Sequence, residues 1–321
     1  MVGRSFPCCT IQDGLLEKLA AEIAGDRLVW APRQSEDGVF RLQVINSGLP
    51  DHAAVARLPF KKLLFPHRET VWSYHNGQYH DVDTPQRIAL VGLPLCDLQA
   101  LWYLDQVFAE DAHYQEQRSR LFIAGALCEP GPECRCDAVL MPVAGDLVIG
   151  RDQVWALSES GVELLMTAGC QMQGEDSLPW PEGPVEKRRT ITAEGLRANR
   201  HAGIWAAEGD RCLSCGACSA VCPTCYCFDL SDVAEVNGSV SRQRLWDNCF
   251  FAEHGRVAGG FDFRAGRAER LRFRMEHKRV GFGELRGMDS CVGCGRCRNV
   301  CPVDIDLDRI AERFLAGGTD V

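Results

Sequence analysis

The chain has 321 residues, 46% of them hydrophobic and 25% charged, and a formal net charge of −9. An acidic chain of this kind lacks the basic face that phosphate binding needs, which excludes nucleic acid as its main partner. No apolar run approaches the roughly 18 residues of a membrane helix, and MVGRSFPCCTIQDG has no signal-peptide core, so a cytoplasmic protein without a membrane span is expected. Residues 11–24 (IQDGLLEKLAAEIA) place Leu15, Leu16, Leu19, Ala20 and Ile23 on one helical stripe. Short apolar runs at Arg27–Ala31, Phe40–Ile45, Ile88–Leu93 and Leu121–Ala126, bounded by Gly, Pro or Asp, read as strands. Between the last two, CDLQALWYLDQVF (96–108) fits a helix, which makes a strand–helix–strand unit and a partly parallel sheet. DLVIGRDQVWA (147–157) reads as a hairpin.

QMQGEDSLPWPEGPVEK (171–187) is rich in Gly, Pro and charge and reads as a linker. Helical patterns follow in ITAEGLRANRHAGIWAAEGD, SRQRLWDNCFFAEH and DLDRIAERFLAG. The expected fold class is therefore an α/β domain over 1–170, a linker over 171–190 and a mainly α-helical domain over 191–321.

The cysteines carry the chemistry. Of eighteen, eleven lie between Cys212 and Cys301, and dense, regular cysteines in a reducing compartment bind metal more often than they form disulfides. Cys212, Cys215, Cys218 and Cys222, followed by Pro223, repeat the spacing of Cys291, Cys294, Cys297 and Cys301, followed by Pro302. This C-x2-C-x2-C-x3-C-P run is that of two-cluster bacterial ferredoxins, whose fourth cysteine ligates the other cluster. By that rule Cys212, Cys215, Cys218 and Cys301 hold one 4Fe–4S cluster, and Cys291, Cys294, Cys297 and Cys222 the second. Structural zinc also takes four cysteines, but rarely in two such runs.

Cys96, Cys128, Cys134 and Cys136 form a looser set. Parallel pairing of the strands at 88–93 and 121–126 would gather all four at the carboxyl edge of the sheet, where a third 4Fe–4S cluster is reasonable. The bland alternative makes Cys96 and Cys128 buried small hydrophobes. GFGELRG (281–287) has the wrong spacing for a phosphate loop and reads as a turn. Residues 241–280 hold ten Lys and Arg against five Asp and Glu, an excess that would offset cluster charge, dock an acidic partner or simply face solvent. His277 is a candidate ligand or proton carrier, though a histidine so placed is more often a satisfied core or surface residue. Cys8, Cys9 and Cys170 follow no spacing logic. No P-loop, dinucleotide fingerprint, G-x-S-x-G or H-E-x-x-H is present, so no catalytic residue is assigned.

RCLSCGACSAVCPTCYCFDL, RLWDNCFF, AGGFDFR, RLRFRMEHK and CVGCGRCRNVCPVDIDL resemble the iron–sulfur β subunits of cytoplasmic NAD(P)-linked nickel–iron hydrogenases (sulfhydrogenases). They are similar also to the corresponding iron–sulfur component of anaerobic (dissimilatory) sulfite reductase. The resemblance reaches back through FKKLLFPHRETVW, GLPLCDLQALWYLD and DAHYQEQR, though Pro94 stands where the family pattern G-x-R-x-C-D has arginine. It implies an α-helical ferredoxin fold, cysteines at the positions of Cys96, Cys128, Cys134 and Cys136, and a relay of electrons. The implied partners are a reductase that binds flavin and NAD(P), and a catalytic subunit carrying nickel–iron or sirohaem. A structural or sensory iron–sulfur protein is the alternative of a different class. Cys225, Cys227 and Cys249 lie beyond the ferredoxin runs, and the question they pose is whether they meet in space.

Overall fold

The computed structural model describes residues 5–50, 52–81, 86–136, 142–179, 193–201, 203–281 and 290–315. They fall into two compact units that are not contiguous in sequence. The first comprises 1–66, 81–131 and 141–185; the second comprises 67–80, 132–140 and 186–321. The bounds differ from the sequential division into 1–170 and 191–321.

The strands of the first unit are β1 (Ser5–Thr10), β2 (Leu28–Gln34), β3 (Phe40–Val44), β6 (Ile88–Leu93), β7 (Leu121–Ala126), β8 (Leu147–Ile149), β9 (Gln153–Ala156) and β10 (Glu175–Ser177). Among the described residues they make one mixed sheet of eight strands, in the order β10-β1-β9-β8-β7-β6-β2-β3. Helices α1 (Leu15–Ala24), α2 (Lys61–Leu64), α3 (Leu95–Val107), α4 (Ala112–Ser119) and α5 (Glu159–Thr167) accompany them. β2, β6, β7 and β8 run parallel, and β6 and β7 are buried on both faces, which is why they read as unbroken apolar runs. Leu15, Leu19 and Ile23 of α1 and Leu165 of α5 pack with Ala89, Val91, Phe122 and Ala124 in one core cluster. The expected strands, the helix after β6 and the hairpin at 147–157 are all present. Part of the expected linker is instead strand, since Glu175–Ser177 pairs with β1; residues 180–190 lie outside those described. Cys9 and Cys170, 161 residues apart, form a disulfide in this unit.

The second unit combines short helices with a small sheet. Its strands are β4 (Arg68–His75), β5 (Gln78–Asp81), β11 (Phe228–Ala234) and β12 (Val240–Trp246), in the order β11-β12-β4-β5. SRQRLWDNCFFAEH is not the expected helix. Its first half is β12, antiparallel to both β11 and β4. The arginines read as one face of a helix are cross-strand partners here: Arg242 lies over the Trp72 ring and pairs with Asp232, while Arg244 pairs with Glu69 at 2.6 Å. α6 (Ala193–Ala198), α7 (Gly203–Arg211), α8 (Ala217–Ala220) and α9 (Arg267–Glu276) are helical as the patterns indicate, as is a last helix, Leu307–Leu315. Their apolar faces form a small core of Leu196, Ile204, Trp205, Phe250, Leu271, Met275 and Ile310, and Cys212 and Cys249 belong to it. Residues 282–287 of GFGELRG lie outside those described.

Candidate metal centre

The two cysteine runs adopt one backbone. Gly216 and Gly295 are both left-handed, at φ 73° and 72°, and each starts a single helical turn, α8 or Arg296–Asn299. Two residues earlier, Ser214 and Gly293 are left-handed as well, at φ 51° and 66°. Left-handed residues two apart fold C-x2-C-x2-C into a loop that turns its thiols to one side. Gly216 also lets the chain approach Asn248, whose amide donates to the Gly216 carbonyl at 2.9 Å.

Cys212, Cys215 and Cys218 line a cavity together with Cys297 and Cys301, walled by Phe250, Leu271, Arg274, Ile305 and Leu307. The fourth cysteine of the second run thus faces the first loop. Cys222 is tied the other way: its sulfur meets the Thr224 hydroxyl at 3.3 Å, and that hydroxyl donates to the carbonyl of Ser290, next to Cys291. Backbone N–H groups reach two of the sulfurs, Ser214 to Cys212 at 3.4 Å and Ile305 to Cys301 at 3.2 Å. An apolar wall, thiols from both runs and N–H donors to sulfur are the donor set that a thiolate-ligated cluster requires. Among the described residues no three His, Cys, Asp or Glu side chains converge closely enough for one metal ion; a cubane instead takes one thiolate at each of four irons.

Two buried cations serve this centre. Arg274, 4% exposed, donates to Ser219 Oγ at 2.8 Å, the Cys218 carbonyl at 3.0 Å and Cys225 Sγ at 3.4 Å. Lys278, 2% exposed, donates to Thr224 Oγ1 at 2.9 Å and to the carbonyls of Thr224 and Ser290. Burial pushes the Cys297 thiol up to about 12, against the pull of Arg274. Assembly of a cluster must therefore expel a firmly held proton, and the cations supply part of that drive. His277 is no proton carrier near neutrality, because burial and then Lys278 and Arg274 press it down to about 4. The basic excess of 241–280 is largely taken up inside the unit, by Arg274, Lys278 and the pairs of Arg242, Arg244, Arg272 and Arg279 with Asp232, Glu69, Glu276 and Asp308.

Of the looser cysteine set, Cys96 is buried in the first turn of α3 and Cys128 is half-buried beyond β7, both in the first unit. Cys134 and Cys136 belong to the second. There, the loop 133–136 lies against the second run. The Arg135 N–H donates to the Gly293 carbonyl at 2.7 Å, and Arg298 binds both the carbonyl and the carboxylate of Glu133. The expected convergence of four cysteines on one sheet edge is thus replaced by two cysteines in each unit.

The surplus thiols share a neighbourhood. Cys225 hydrogen-bonds Cys222, holding Cys222 well below the usual thiol range and Cys225 above it. Cys249, 7% exposed, hydrogen-bonds Ser219, the same hydroxyl that Arg274 reaches. Cys227 hydrogen-bonds His254, whose Nδ1 meets the Asp247 carboxylate. Sequence spacing assigns no role to Asp247, Arg274, Lys278 or His254; only their positions around W-x-x-C and within RLRFRMEHK mark them.

The chain carries a 4Fe–4S dicluster domain: that family matches residues 211–305, which contain both runs. Beyond the domain, the chain is similar to the sulfhydrogenase 2 subunit beta of Pyrococcus furiosus, at 29% identity over 290 residues, covering 81% of this chain and 84% of that protein. It is thus an iron–sulfur protein that resembles a sulfhydrogenase β subunit, as the motifs indicate. No solved structure matches it. Among the described residues no helix is long and apolar enough to cross a membrane.

Proposed function

We propose that the chain is the electron-transfer component of a cytoplasmic multi-subunit oxidoreductase of nickel–iron hydrogenase type. It relays electrons between a reductase that binds flavin and NAD(P), on one side, and a catalytic partner on the other, and has no catalytic centre of its own. Cys212, Cys215, Cys218 and Cys301 hold one 4Fe–4S cluster, and Cys291, Cys294, Cys297 and Cys222 hold the other. The observation that carries this reading is the placement of Cys301 in the cavity of the first run, with Cys222 tied to the start of the second. Such crossed ligation keeps the two clusters close, as a relay requires. Bound clusters supply one-electron transfer; the chain's own residues set burial, N–H donors to sulfur and positive charge around them. The helices α6 to α9 support an α-helical ferredoxin-like arrangement, with the sheet as an addition to it.

Iron and acid-labile sulfide on anaerobically prepared protein test the assignment. About eight irons per chain are expected, four per cluster. Cys301→Ser should destabilise the cluster bound by the first run, and loss confined to the second would reject the crossed assignment. About twelve irons would support a third cluster on Cys96, Cys128, Cys134 and Cys136, and the double variant Cys134→Ser, Cys136→Ser should then lose about four. Co-purification separates the complexes, since a nickel-containing partner supports the hydrogenase reading and a sirohaem protein the sulfite reductase one.

A further inference from the structure

Cys227 stands outside both ligand runs, five residues beyond Cys222, with a chemical setting of its own. The residue is half-buried just before β11, and its carbonyl accepts the Asp247 N–H at 2.9 Å. The His254 imidazole hydrogen-bonds its thiol, and Nδ1 of the same ring is bound to the Asp247 carboxylate. Nucleophile, base and orienting acid are thus in line, with His254 and Asp247 each only 20% exposed. Lys278 adds positive charge, and Cys249 and Asp247 are its other charged or titratable neighbours. Burial raises the thiol, yet the His254 bond and charge outweigh it and bring Cys227 below the usual thiol range. The partner imidazole is correspondingly raised to about 9, first through the Cys227 bond. Neutral pH therefore favours a thiolate–imidazolium pair.

We propose that Cys227, His254 and Asp247 form a peroxide-reactive thiolate site, distinct from the cluster ligands. The thiolate attacks one oxygen of hydrogen peroxide; the S–O bond forms as the O–O bond breaks. The leaving hydroxide takes the proton of the His254 imidazolium and departs as water. Sulfur is oxidised by two electrons to the sulfenic acid, peroxide is reduced, and His254 ends neutral. Half-burial suits an oxidant as small as peroxide and disfavours bulky disulfides. The site borders the first ligand loop, because Asn248, beside Asp247, donates to the Gly216 carbonyl between Cys215 and Cys218.

The test uses the full-length chain with its clusters, kept anaerobic. Substoichiometric hydrogen peroxide is added with dimedone, and adducts are mapped by mass spectrometry. Cys227 should be labelled about tenfold more than Cys8 or Cys96, since thiolate fraction sets the rate. His254→Gln should cut labelling about tenfold and move the pH inflection of iodoacetamide alkylation at Cys227 up toward the free-thiol range. Should that variant lose its clusters, Asp247→Asn and the wild-type pH profile serve in its place. Equal labelling of all thiols, or an unchanged profile in either variant, overturns the proposal. So does a Cys227 that reacts only after iron is removed, which would make it a ligand.

Discussion

Single side chains around the metal centre act through charge. Arg274 is the clearest case: a buried guanidinium whose fork spans Ser219, the Cys218 carbonyl and Cys225 leaves no water to screen it. Replacing it with Met roughly preserves the volume and removes the cation, which favours the oxidised cluster. The midpoint potential of the cluster on Cys218 should fall by on the order of 100 mV, the equivalent of about 2 kcal/mol between charges a few ångströms apart in protein. Spectroelectrochemical titration of the Arg274→Met variant reads this directly, and an unchanged potential would show that Arg274 only packs. His254 makes a pH prediction. Its pKa rises from 6.5 to about 9 on folding, so the folded chain keeps a proton that the unfolded chain releases between those values. The stabilisation is complete below pH 6.5 and is lost as pH rises through about 9. The gap in melting temperature between wild type and His254→Gln should therefore shrink across that window. A gap that widened would refute the ion pair. None of these roles is legible in the sequence, where arginines, a lysine and a histidine in RLRFRMEHK read equally well as a solvated face. What decides is the burial of one helix side against a cysteine 49 residues away.

Elements differ in how openly they announce themselves. β6, β7 and α3 are legible because a strand buried on both faces needs unbroken apolar residues and the crossover between parallel strands needs a helix. The ligand loops are legible for a different reason, since cluster geometry fixes the spacing regardless of context. β12 is not, because RQRLW takes its extended form from β4, some 170 residues earlier, through Arg244–Glu69 and Arg242–Trp72. That ion pair is buried, with side chains 4% and 10% exposed, so Glu69→Gln strands a charge and should cost about 3–5 kcal/mol. Thermal melting measures it, and a loss under about 1 kcal/mol would mean the sheet does not depend on the pair. The loop 133–136 is tied just as firmly. A Cβ on Gly293 would run into the Arg135 carbonyl oxygen, at a φ of 66° that side chains seldom adopt. Gly293→Ala should therefore release the loop, and limited trypsin digestion should cleave after Arg135 faster in the variant. Equal rates would show that the loop is held elsewhere.

At the scale of the whole molecule, the sequential division by composition captures the two kinds of architecture but not their borders. Segments 67–80 and 132–140 leave the first stretch of chain and join the second unit. Their composition is unremarkable; what places them is pairing with partners that no local window contains. The dependence is testable by excision. A fragment of residues 191–321 keeps both cysteine runs but loses β4, β5 and the loop that seats against Gly293. It should be expressed in aggregated form or with far less than about eight irons per chain. A fragment that is monomeric and fully loaded would show that the runs need no help from the earlier segments.

The sheet β11-β12-β4-β5 also orders events in time. On the ribosome, β4 and β5 emerge long before β12, and the N-terminal half of the sheet must wait, unpaired, while some 160 residues are made. Only after Cys301 and the last helix appear can the crossed thiol sets close. Iron insertion is thereby deferred to the end of synthesis, and a chain truncated anywhere before that point carries an exposed hairpin that marks it for a chaperone or a protease.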